Sequence, residues 1–129
     1  MSRAVPVVLA ASAVLLTGCG GPAVVCPAIA YGSTLVVRLA ADWPAGPDRT
    51  VQVDCDSPCE LVPPTSSPVP VTGAGARVGM LDPPDSVMVT VLDPSGPLTS
   101  VEDELTWKRI GGSAECGGPM EASVTVPAP

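Results

Sequence analysis

"TVQVDC", Thr50–Cys55, alternates without exception: Val51, Val53 and Cys55 fall on one face of an extended chain, Gln52 and Asp54 on the other. Successive side chains of a strand point to opposite faces. A period of two therefore marks a half-buried strand, valines toward a core and polar groups toward water. Residues 122–126, Ala-Ser-Val-Thr-Val, repeat the pattern near the carboxy end. Further strands are expected over residues 34–39, 69–72, 76–81, 86–92 and 104–110, the last around Trp107. After residue 19 no stretch of helical length keeps an apolar stripe clear of proline and glycine, which points to an all-β chain.

Turn chemistry separates these strands. In Asp93-Pro94-Ser95-Gly96 the aspartate can accept a local backbone bond, proline presets the next dihedral and glycine closes a type I turn. It is expected to join the strand ending at Leu92 to the one leading to Trp107. Asp82-Pro83-Pro84-Asp85 and Ala45-Gly46-Pro47-Asp48 punctuate the chain in the same way. Residues 63–75 carry prolines that forbid a central strand and allow an edge strand or an extended polyproline-like loop. About seven short strands in roughly 100 residues predict an immunoglobulin-like or fibronectin-III-like antiparallel β-sandwich, with an up-and-down barrel as the alternative. Trp107 is expected in its core, because few other large side chains are available to fill the space between sheets.

Five cysteines leave one unpaired. Cys26, Cys55, Cys59 and Cys116 can pair in three ways. Cys55 and Cys59 flank a loop of hairpin length, Asp56-Ser57-Pro58, while Cys26 precedes the first strand and Cys116 the last. Those positions favour Cys55–Cys59 and Cys26–Cys116. Cys19 is the odd cysteine.

Upstream of Cys19, Met1-Ser2-Arg3 carries one positive charge, and a charge-free apolar run follows from Ala4 to Leu16. The run is short of the roughly 20 apolar residues that cross a bilayer and has no polar face for a buried helix, so it reads as an export signal. Its ending, Leu16-Thr17-Gly18-Cys19, resembles the lipobox of bacterial lipoproteins. That resemblance implies diacylglyceryl transfer to Cys19 and cleavage before it. Residues 1–18 would then be a lipoprotein signal peptide, 19–25 a lipidated tether and 26–129 the β-sandwich domain. Two acyl chains on one residue hold a protein stably where one chain holds it marginally. Six free residues between Cys19 and Cys26 reach on the order of 20 Å, which keeps the domain close over the bilayer.

The chain lacks His, Phe and Asn and has one Lys and one Tyr against abundant Ala, Val, Pro and Gly, a composition that with the lipobox resembles small actinobacterial lipoproteins. Residues 105–126, "LTWKRIGGSAECGGPMEASVTV", are similar to the ends of uncharacterised lipoproteins of that kind and bring no activity with them. Without Arg3 the chain carries five basic side chains against thirteen acidic ones, a formal charge of −8. Scattered acidic charge opposes nucleic-acid binding, which draws on clustered Lys and Arg.

Chemistry is sparse. Without histidine, Ser-His-Asp and Cys-His catalysis are excluded, and no Ser-x-x-Lys motif is present. Glu102-Asp103-Glu104 and the aspartates at 82, 85 and 93 read as solvated loop charges, with plain solubility favoured over a weak calcium site. No enzyme, cofactor or metal is assigned. The expected function is a non-catalytic binding or structural module at the outer face of the cell membrane, with membrane lipid as partner through Cys19 and a protein or envelope component as a further one. Trp43 and the prolines Pro68 and Pro70 are the candidate recognition residues, together with the loop at residues 111–119. The competing reading is a copper or redox accessory protein. Cys55-x-x-x-Cys59 resembles the spacing of thioredoxin-fold copper chaperones, and Met80, Met88 and Met120 are soft ligands, but that family's distant histidine and βαβ pattern are both missing.

Overall fold

The computed structural model describes residues 20–63 and 68–129, so the apolar leader and Cys19 lie outside the described residues. Those residues form nine strands and no helix: β1 Ser33–Leu39, β2 Thr50–Cys55, β3 Leu61–Val62, β4 Val69–Pro70, β5 Gly75–Met80, β6 Ser86–Asp93, β7 Gly96–Glu104, β8 Lys108–Arg109 and β9 Met120–Val126. They make two sheets, one ordered β3-β5-β1-β9-β8 and the other β4-β2-β6-β7. The all-β, two-sheet arrangement is the expected one.

Alternation places the core between the sheets. Leu35 and Val37 of β1, Val78 and Met80 of β5 and Val124 and Val126 of β9 are fully buried from one side. Val51 and Val53 of β2 and Val87, Val89 and Val91 of β6 meet them from the other. The register seats Val51 opposite Val91 and Val53 opposite Val89, so branched side chains pack across neighbouring strands as well as across the gap. Nine of the thirteen clustered core residues are valine. With so little volume per residue, the larger side chains at the rim, Trp43, Leu61, Leu105 and Trp107, close the ends of the cluster.

The ladders are antiparallel except one: β1 and β9 run parallel, Ser33 beside Met120 through Leu39 beside Val126. The first and last strands are thus neighbours. That adjacency brings the segments before them together, and Cys26–Cys116 joins them with 5.2 Å between Cα atoms. Cys55–Cys59 closes the short loop after β2, at 6.2 Å. Both pairings agree with the positions of the cysteines in the sequence.

Several local expectations need correction. Residues 96–104 form the nine-residue strand β7, and Glu102, Asp103 and Glu104 lie on it, not in a loop. The Asp93–Gly96 turn joins β6 to β7. Trp107 lies on no strand: residues 105–107 cross from one sheet to the other, and only Lys108 and Arg109 pair afterwards, as β8. The indole is half-buried against the core, and its Nε1–H donates to the Pro84 carbonyl at 2.8 Å. The alternation of Leu105 and Trp107 is real, but it comes from two side chains turned to the core along a crossing rather than along a ladder.

Candidate functional site

The structure distributes the sequence-predicted recognition residues among corners, loops and strand edges of the fold. Trp43 follows β1 and is half-buried against the core. Its Nε1–H donates to the Val126 carbonyl at 2.8 Å, and the Arg49 guanidinium lies over the ring at 4.8 Å from its centroid. Arg49 is held in turn by the Pro44 carbonyl at 2.6 Å, while its Nε is buried without a partner. One face of the indole packs inward and the other is covered by a cation, so Trp43 braces the corner and is not a free aromatic knob.

The proline segment meets the same corner. Val69–Pro70 adds to the edge of β2, Thr50 opposite Pro70, and the Val71 N–H donates to the Arg49 carbonyl at 2.9 Å. Pro68 and Pro70 are exposed, whereas Val69 packs against the core. Proline is tolerated there because an edge strand needs no donor on its outer side. Arg49 therefore links Trp43 to Val71, the residue after β4, through its side chain and its backbone. A cavity of about 280 Å³ opens beside them, lined by Leu39, Trp43, Arg49 and Gly73 among others.

The loop at residues 111–119 belongs to the opposite end of β1, where β9 begins. Ser113 holds it by accepting from the Cys116 N–H at 3.1 Å and donating its own N–H to Gly117 at 3.0 Å. The loop can close only with glycine at key places: a Cβ on Gly118 would overlap the Gly111 carbonyl, and Gly112, at φ +70°, would meet that of Gly117. This tight loop delivers Cys116 to Cys26.

The soft ligands considered above are not gathered together. Met80 is fully buried on β5, Met88 is 44 % exposed on the outer face of β6 in the other sheet, and Met120 starts β9. Cys55 and Cys59 are joined to one another. Among the described residues no group of three or more carboxylates and cysteines is placed to hold a metal ion. The Ser95 hydroxyl and N–H both donate to Asp93, holding its carboxyl below the usual carboxylate range.

A further cavity was not legible from any sequence signal. It measures about 510 Å³ and lies where β8 stops short beside β9, with Arg38, Lys108, Glu104 and Ser123 on its walls.

Fold and surface together define a disulfide-stapled, two-sheet β protein whose accessible features are edges and loops. Comparison with protein-family models, curated proteins and solved structures finds no match for this chain.

Proposed function

We propose that the protein is a lipoprotein held at the outer face of the cell membrane, where its β domain acts as a non-catalytic binding or structural module. The carrying observation is the use of the cysteines. Two disulfides consume Cys26, Cys55, Cys59 and Cys116, and the fifth cysteine of the chain is Cys19, placed directly after an apolar export-type run. An odd reactive thiol is unusual in an exported protein, and acylation gives it a use. The paired cysteines themselves fit an oxidising compartment outside the cytosol.

The segment between Cys19 and Cys26 fits a tether. Val24 and Val25 are exposed, 63 % and 89 %, and no regular structure involves residues 20–32. Cys26 ends this free length at the domain. Metabolic labelling with a clickable palmitate analogue tests the reading. Wild type should take up label and partition into detergent, and Cys19→Ala should do neither. Equal labelling of the variant would end the lipoprotein assignment.

A further inference from the structure

We propose that the open edge of β9, at Ser123 and Thr125, accepts an extended segment of a partner protein as an added strand, and that the segment carries a carboxylate opposite Ser123. Strand β8 pairs with only the first two residues of β9: Lys108 lies opposite Glu121 and Arg109 opposite Met120. The chain enters β8 from the other sheet, so no described strand pairs along residues 122–126 on that side, and Thr106 of the crossing lines the cavity left there.

The hydrogen-bond phase says which groups are left over. The Ile110 N–H donates to the Pro119 carbonyl at 2.9 Å, which makes odd-numbered residues of this part of β9 the ones whose backbone faces β8. Even-numbered residues face β1, as the Val126 carbonyl shows by accepting from the Ala40 N–H at 3.0 Å. Ser123 and Thr125 thus direct their N–H and C=O groups to the open side. Among the described residues no strand pairs with them there. A strand edge of this kind binds extended peptides through main-chain bonds, and neighbouring side chains choose which.

The choice here follows from a geometry the protein already uses. Arg77 of β5 stands opposite Val36 of β1, while Glu121 of β9 stands opposite Thr34, two residues earlier, and the two meet across β1 at 2.8 Å. Arg38 repeats the situation one strand over. It stands opposite Thr125, and two residues earlier on β9 is Ser123. Arg38 and Ser123 line the same cavity, and both residues it would cross are small. A carboxylate on the added strand opposite Ser123 would stand to Arg38 as Glu121 stands to Arg77. Lys108 of β8 lines the same cavity from the other side of β9, and Arg38 and Lys108 make no ion pair among the described residues, whereas Glu121 is already taken by Arg77. Glu104, the last residue of β7, also lines the cavity, and exposed Ile110 adds an apolar contact.

This inference deepens the binding reading above and is independent of the lipid anchor, since labelling reads Cys19 and the following experiment reads β9. The full chain in detergent solution is titrated with short peptides alternating threonine with glutamate, glutamine or lysine, and amide hydrogen exchange is followed by NMR. The glutamate peptide should slow exchange at Ser123 and Thr125. Arg38→Ala should weaken that peptide about tenfold, the worth of one charge-assisted hydrogen bond, and leave the glutamine peptide unchanged. Ser123→Pro removes a donor that no internal bond uses, so it should keep the fold and abolish protection; should it unfold instead, the Arg38 comparison still decides. Protection by no peptide, preference for lysine, or protection that grows with protein concentration alone, as a second copy on the edge would give, overturns the proposal.

Discussion

Arg77 and Glu121 are 44 residues apart in sequence and meet at 2.8 Å across the outer face of β1. Beneath their bridge lies Val36, only 9 % exposed although it points away from the inner core that Leu35 and Val37 enter. The bridge is itself open to water, with 63 % of the arginine side chain and 32 % of the glutamate accessible. Exposed pairs contribute roughly 0–1 kcal/mol. Arg77→Ala and Glu121→Ala should therefore each shift denaturant midpoints slightly, the double variant no more than the larger single one, and high salt should erase the difference. A loss of several kcal/mol in either would mean that the bridge holds the strands in register.

The two disulfides should differ in weight. Closing a loop restricts the unfolded chain more when the loop is long: roughly 2 kcal/mol for the five residues from Cys55 to Cys59 and roughly 4.6 kcal/mol for the span from Cys26 to Cys116. Cys116→Ser should lower the melting temperature more than Cys59→Ser does. The opposite order in calorimetry would contradict the loop-length account.

Trp43 is the test of the corner. Its indole donates to Val126, packs on the core and lies under Arg49. Trp43→Ala should cost about 3 kcal/mol, the low end for a large aromatic because the ring is half-buried. Trp43→Phe should cost about 1 kcal/mol, the value of one hydrogen bond. An unchanged melting temperature in Trp43→Ala would return the residue to the list of free recognition anchors.

How much of this was legible in the sequence depends on the range of the forces involved. β2, β5, β6 and β9 announce themselves because each buries one face and repeats valine or alanine at a period of two. β7 does not: at the sheet edge it needs little apolar surface, and Pro97 and three consecutive acids disguise it as a loop. Two-residue strands such as β3 and β8 are too short to have a period. The cysteine pairing could be read because chain order put Cys26 and Cys116 before the first and last strands. The β9 groove could not, since it exists only because β8 ends where a crossing from the other sheet happens to deliver it.

Gly118 should be intolerant of any side chain. A Cβ there would run into the Gly111 backbone, which has no flexible end to move aside. Gly118→Ala should destabilise the domain by more than the few tenths of a kcal/mol usual for surface changes and should speed reduction of Cys26–Cys116 by dithiothreitol. Wild-type reduction rates would show that the loop opens without cost.

Asp93 sets an acid dependence of known sign. Its folded carboxyl titrates below the unfolded one because Ser95 donates to the charged form. The stabilisation is fully present above the unfolded value, about 4, and is lost as pH falls through the lower folded value. Asp93→Asn should flatten the stability profile in that acid window and leave its neutral side parallel to wild type. NMR titration of Asp93 at an ordinary carboxylate midpoint would remove the premise.

The parallel contact of β1 with β9, stapled just ahead of both strands, also has a mechanical meaning. Tension applied to the chain ahead of Cys26 reaches that residue first and divides there between the entries to β1 and β9 through Cys116. Neither strand can be peeled from its end, because the covalent bond takes the load ahead of the first ladder hydrogen bond. Under the lipid-anchored reading proposed above, a domain pulled by whatever it holds would thus be loaded in shear along β1 and β9. Reduction of that one bond would convert the same pull into unzipping.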